Sequence, residues 1–195
     1  MLKMIQIEKS FNIGTINEKQ IFKGLNLTIN DGDFLTVIGG NGAGKSTMLN
    51  LIAGVHKADG GRIILDGEDL TYKNETQRAK YIGRVFQDPM MGTAPTMMIE
   101  ENLAMAYRRT KRRTLAWGIS QKERELYRES LAQLGLGLED RMKTKVGLLS
   151  GGQRQAVTLL MATLQKPKLL LLDEHTAALD PKTSEIIMEL TAKVV

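Results

Sequence analysis

The chain has 195 residues, 42% hydrophobic and 25% charged, which suits one sizeable core with a small second lobe. Its formal net charge is +5, and the absence of cysteine excludes a disulfide framework and a thiolate metal site. No apolar run approaches the roughly 18–20 residues of a membrane-spanning helix, and the start lacks the long apolar core of a signal peptide, so a membrane role would be peripheral, through a partner.

Residues 2–8 alternate apolar and polar as a half-buried strand does, and Leu25, Leu27 and Ile29 mark a second strand. Asn30, Asp31, Gly32 and Asp33 make a turn. Residues 34–38 form a compact apolar run, predicted as a buried strand leading into a glycine-rich segment. Residues 46–53 then read as a helix. A short strand at 62–65 follows the Asp59-Gly60-Gly61 turn, and another at 81–86 ends at Gln87-Asp88-Pro89. From there to about residue 165 the spacing is helical, at 100–109, 121–134 and 152–165. This pattern predicts a helical lobe inserted into an α/β core. Residues 168–173 return to strand. Leu169, Leu170, Leu171 and Leu172 lead into Asp173, an apolar run expected of a strand covered on both faces. Asp180 as N-cap and Pro181 at the first helical position start a last helix, with Ile186, Ile187, Leu190 and Val194 on its buried face.

The positive charge is uneven. Residues 100–145 hold 11 Lys/Arg against 7 Asp/Glu, densest at Arg108, Arg109, Lys111, Arg112 and Arg113. Nucleic acid, anionic lipid or plain solvent would each suit such a run.

Three segments carry chemistry. Gly39, Gly40, Asn41, Gly42, Ala43, Gly44, Lys45 and Ser46 match G-x-x-x-x-G-K-[ST]. Glycines let the backbone wrap a triphosphate, and the N-terminus of the following helix adds partial positive charge. In such a loop Lys45 can reach the β- and γ-phosphates, and the Ser46 hydroxyl can ligate Mg²⁺. Leu149, Ser150, Gly151, Gly152 and Gln153 precede an apolar-periodic segment, so Ser150 starts a helix with two glycine amides beside it, a second anion site. Ser150 lies 105 residues after Lys45 (150 − 45). Asp173 ends the leucine strand, where an acid can hold Mg²⁺ through water, and Glu174 next to it would polarise an attacking water.

On these motifs the chain resembles an ATP-binding cassette (ABC) ATPase over residues 1–195. Residues 39–46 match the Walker A loop, with Thr47 following. Residues 149–153 match the LSGGQ signature, and residues 169–173 with Glu174 match the Walker B strand and catalytic glutamate. Ala178, Leu179 and Asp180 resemble the D-loop. Gln87 matches the Q-loop glutamine that contacts Mg²⁺ and the attacking water, and Phe11 falls where the family places an aromatic ring on adenine.

The resemblance implies an α/β fold: a P-loop NTPase (RecA-like) core with an N-terminal antiparallel β subdomain and an inserted α-helical subdomain. Residues 1–87 and 166–195 would form the core, and residues 88–165 the helical part with the signature. It also implies ATP and Mg²⁺ as ligands. Catalytic roles fall to Glu174, Gln87 and Lys45, and metal-binding roles to Ser46, Gln87 and Asp173. ATP would be sandwiched between the P-loop of one copy and Ser150, Gly151, Gly152 and Gln153 of another, giving an ATP-dependent homodimer.

The expected partners are transmembrane permease subunits and, indirectly, a solute-binding protein, at the cytoplasmic face of the cell membrane. An importer is the first expectation. The alternative is a non-transport ABC ATPase, acting on nucleic acid or as an assembly scaffold; nucleic acid is the less expected partner. Met90, Met91, Met97 and Met98 flank Gln87 and suit either an adaptable partner surface or loop packing. Two departures stand out. His175 replaces the usual Pro, and the family's later strands and switch histidine have no counterpart, as in a C-terminally incomplete domain. His56 and His175 are the two histidines, and His56 is expected on the surface.

Overall fold

A computed structural model describes residues 1–109, 118–173 and 181–194. The chain divides into two compact units, Met1–Ala79 and Lys80–Val195.

The first unit holds β1 (Leu2–Phe11), β2 (Lys19–Ile29), α1 (Lys45–Ala53), β3 (Gly60–Leu65), β4 (Glu68–Asp69) and α2 (Glu75–Arg78). Its strands form one antiparallel sheet in the order β2-β1-β3-β4. Met4 sits between Leu27 and Ile63. The buried residues of β1 are Leu2, Met4 and Ile7, so the period of two slips by one. The slip is a bulge: Gln6 takes φ 50°, and both neighbouring registers shift there. Gly61 faces it at φ 86°. A Cβ on Gly61 would lie 2.4 Å from the carbonyl oxygens of Ile5 and Gln6, so only glycine fits.

The N-terminus of α1 follows the glycine loop, and Met48, Leu51, Ile52 and Ala53 form its buried side. Its C-terminus is held by Arg78, which is 2% exposed. The Arg78 guanidinium donates to the carbonyls of Leu51 (2.6 Å), Ile52 (2.8 Å), Lys73 (2.7 Å) and Thr71 (3.2 Å). A cation on the last carbonyls of a helix satisfies orphan acceptors and complements the dipole.

The predicted buried strand at 34–38 is corrected. Those residues belong to no strand, and Phe34, Leu35, Val37 and Ile38 are 62%, 50%, 41% and 91% exposed. An apolar run has strand propensity, but a strand exists only through the ladder of a neighbour. Among the described residues no strand pairs with this segment. The helix predicted after the glycine loop forms all the same.

The second unit holds β5 (Ile82–Val85), α3 (Ile99–Tyr107), α4 (Gln121–Ala132), α5 (Gly151–Thr163), β6 (Leu169–Leu172) and α6 (Pro181–Val194). β5 and β6 pair in parallel, with Ile82 opposite Leu169 and Val85 opposite Leu172. Gly83 lets β5 lie against α5, since a Cβ there would stand 2.6 Å from the Ala162 carbonyl oxygen. Val85, Ile99, Leu103, Tyr127, Leu131, Val157 and Ile187 belong to one apolar core. β6 is less covered than its four leucines suggest. Leu171 is buried, while Leu169, Leu170 and Leu172 are half-buried, because the ladder has two strands among the described residues. The last helix starts at Pro181 as predicted and buries Ile187. Asp180 and the side chains of Ile186, Leu190 and Val194 lie outside the described residues.

Candidate nucleotide site

In the first unit the glycine loop runs from Gly39 into α1. Gly42 and Gly44 take φ 79° and 97°, left-handed conformations that L side chains rarely adopt. Gly44 is also crowded: a Cβ there would sit 2.8 Å from Ile21 Cγ2 and 3.1 Å from Phe22 Cζ on β2. Gly44 caps α1 without any side-chain hydrogen bond. By contrast α2, α4 and α5 each close their first turn with a capping box. The first N–H groups of α1 therefore remain as donors for an incoming anion. The Lys45 ammonium folds back over the loop, donating to the carbonyls of Gly39 (2.7 Å) and Gly40 (3.3 Å). Ser46 is exposed and Thr47 half-buried on the same turn. Gly39, Gly40, Asn41, Gly42 and Ala43 are all exposed, so the concave side of the loop is open.

Phe11 ends β1 and is half-buried. His56 meets it edge-on, with ring centroids 5.4 Å apart, and the Lys9 ammonium lies 5.3 Å from the ring centre. His56 is half-buried rather than fully on the surface. Spacing along the chain does not show this contact, because it joins the end of one strand to the segment after α1.

In the second unit Ser150 opens α5. Its hydroxyl accepts from the Gln153 N–H (3.3 Å), while the Gln153 side-chain oxygen accepts from the Ser150 N–H (3.3 Å). The signature is thus a capping box that closes the first turn of α5. Accepting that bond leaves the Ser150 O–H free to donate. Gly151 is exposed and Gly152 buried. Gln87 is exposed just beyond β5.

The segment after Gln87 and the approach to the signature are stitched together. Gly147 N–H donates to the Pro95 carbonyl (2.8 Å), and Val146 N–H to that of Met97 (3.0 Å). Asn102, fully buried, holds the same segment by accepting from Ala94 N–H (2.8 Å) and donating to the Met98 carbonyl (2.9 Å). From α5, Gln155 donates to the carbonyl of Phe86 (3.4 Å), the residue before Gln87, and is itself 1% exposed. Sequence reasoning passed over Gln155 and Asn102. Their signal, a polar residue on the buried face of a helix, is visible only once the helix faces are known.

Asp173 follows β6 and is anchored by its own N–H, which donates to the Val85 carbonyl (3.1 Å). Its carboxylate lies 3.5 Å from the Arg84 guanidinium. Glu174, His175 and the segment with Ala178, Leu179 and Asp180 lie outside the described residues, as do Lys111, Arg112 and Arg113. The described residues include no helix long and apolar enough to cross a membrane.

A phosphate-wrapping loop with an open helix start, and a second helix that opens on Ser-Gly-Gly, define a nucleotide-binding cassette. A family model described as ABC transporter matches residues 22–177, and the chain belongs to that family. It is an ATP-binding cassette ATPase of the kind that energises transport. It is 45% identical, over its whole length and 77% of the relative's, to a tyrosine transport ATP-binding protein of Clostridioides difficile (strain R20291). It is 40% identical to the spermidine/putrescine import ATP-binding protein PotA of Pasteurella multocida (strain Pm70), over 93% of this chain and 45% of that one. Its fold matches the dimeric post-hydrolysis structure of the ATP-binding cassette MJ0796 bound to ADP and Pi. That match has a TM-score of 0.83 and 31% identity, over 99% of this chain and 82% of that one.

Proposed function

We propose that the chain is the ATP-hydrolysing subunit of a membrane importer, working as an ATP-dependent homodimer with transmembrane permease subunits and, through them, a solute-binding protein. The observation that carries the reading is the uncapped start of α1, with Lys45 folded over the loop that leads into it. The name of one relative, for spermidine/putrescine import, supports the direction of transport; another relative is named for tyrosine transport. We place the subunit at the cytoplasmic face of the membrane.

ATP binding begins with the N–H groups of residues 39–47 and the Lys45 ammonium, which would leave the Gly39 and Gly40 carbonyls for the phosphates. Phe11 supports the base. Ser150, Gly151, Gly152 and Gln153 face the γ-phosphate of the partner's nucleotide, with the Ser150 hydroxyl as donor. Glu174 accepts a proton from the attacking water, and Gln87 orients that water.

The donor set fits Mg²⁺. Ser46, Gln87 and Asp173 offer hydroxyl, amide and carboxylate oxygens, and no group of three His, Cys, Asp or Glu among the described residues could enclose a metal by itself. Mg²⁺ prefers such sparse oxygen ligation completed by phosphate and water. When bound, it would neutralise charge on the β- and γ-phosphates. The division of residues 1–87 with 166–195 as core, and 88–165 as helical part, is kept as part of this reading.

The test is Lys45→Ala, read by equilibrium binding of ATP. Affinity should fall more than about tenfold, in line with the loss of a charge-assisted contact in a phosphate cradle. Unchanged affinity would refute the assignment of the loop.

A further inference from the structure

Asp173 has a counter-ion of its own. Arg84 lies on β5, beside β6, and its Nη2 is 3.5 Å from Asp173 Oδ2. Both side chains are largely sheltered, at 13% and 21% exposure, so solvent screens the pair only in part. Among the described residues no fork of hydrogen bonds fixes the guanidinium. Its Nε is buried and has no hydrogen-bond partner among the described residues, and its plane centre lies 4.6 Å from the middle of the Phe86 ring. Among the described residues two things therefore hold Arg84: the carboxylate and the aromatic face.

We propose that Arg84 is a displaceable counter-ion that occupies the Asp173 carboxylate and weakens the hold of this site on the nucleotide's divalent cation. The proposal rests on the reading of Asp173 as a metal-binding residue. One carboxylate then serves two cations in turn. While the divalent cation is absent, the guanidinium neutralises a sheltered negative charge that would otherwise be costly. When Mg²⁺ arrives with ATP, the guanidinium gives up the carboxylate and keeps its contact with Phe86. Repulsion between the retained guanidinium and the divalent ion opposes tight binding. Arg84 acts through Asp173, so it is a positioning residue rather than a catalytic one.

The experiment is a Mg²⁺ titration of binding of a fluorescent ATP analogue to the full chain, at fixed nucleotide and without turnover. Wild type, Arg84→Met, Arg84→Lys and Asp173→Asn are compared. Arg84→Met should tighten the apparent Mg²⁺ affinity about two- to fivefold, the weight of a partly screened ion pair. Arg84→Lys should stay near wild type, and affinity in EDTA should change less than about twofold in every variant, within the weight of a weak surface pair.

Asp173→Asn should weaken Mg²⁺ binding. If it does not, the metal role of Asp173 is wrong and the proposal goes with it. If it does, but Arg84→Met leaves Mg²⁺ affinity unchanged or weaker, the counter-ion proposal alone is overturned. Should Arg84→Met lack a cooperative thermal transition, Arg84→Gln carries the same comparison.

Discussion

Lys45 and Gly44 sit next to each other and do different work. Lys45 supplies charge, while Gly44 supplies a backbone that no other residue adopts cheaply. A methyl group at Gly44 meets Ile21 and Phe22 on β2, and it also strains φ 97°. Gly44→Ala should lower stability by about 1–3 kcal/mol and disorder the start of α1. Thermal unfolding and ATP binding, measured on the same sample, check both effects. Arg78 is the residue whose importance was least legible. It stands in a polar-looking stretch, yet it is buried and donates to four carbonyls, two of them at the end of α1. Arg78→Met should reduce stability by about 2–4 kcal/mol, since it strips partners from buried acceptors. Chemical denaturation checks this, and a loss under about 0.5 kcal/mol, the scale of an ordinary surface change, would contradict the anchoring role.

At the scale of elements, caps explain where the helices start. α4 opens with Ser120, whose hydroxyl accepts from the Glu123 N–H, and Glu123 returns the bond to the Ser120 N–H (2.8 Å). Glu123 is also paired with Arg108 at 2.9 Å, which ties α4 to the end of α3. The Arg108 guanidinium is the main reason the Glu123 carboxyl is held down to about 2; partial burial opposes the shift and the Ser120 bonds assist it. A depressed carboxyl pKa stabilises the fold above the unfolded value near 4.5, and that contribution is lost as pH falls towards about 2.

Glu123→Gln keeps the capping box but removes the ion pair. It should cost about 0.5–1 kcal/mol at pH 7, and the difference from wild type should vanish near pH 2. Urea unfolding across that range is the check. The helices at 121–134 and after Ser150 were legible because apolar spacing is a local signal that needs no tertiary context, while the reciprocal bonds of their capping boxes are seen only in the structure. Residues 34–38 show the opposite case. Their apolarity was legible, but whether they join a ladder depends on partners remote in the chain. The links from Gln155 and Asn102 were hidden for the same reason.

At the scale of the molecule, the first unit holds the glycine loop and Phe11, and the second holds the signature, Gln87 and Asp173, the residues to which the proposed function assigns nucleotide contacts. The antiparallel sheet and the helical assembly around α3, α4 and α5 match the fold class expected from the motifs. The family model matches the chain to ABC transporters, and the two cassette structures it resembles are dimeric structures of MJ0796.

If ATP joins the P-loop of one copy to the signature of another, as proposed, the mass of Glu174→Gln in solution will report it. Sedimentation should show a monomer without nucleotide and a dimer with ATP and Mg²⁺. Adding Ser150→Arg to the same chain should abolish that dimer while leaving ATP binding by the P-loop in place. A chain that stays monomeric with ATP bound, or a dimer indifferent to Ser150→Arg, would contradict an ATP-joined pair.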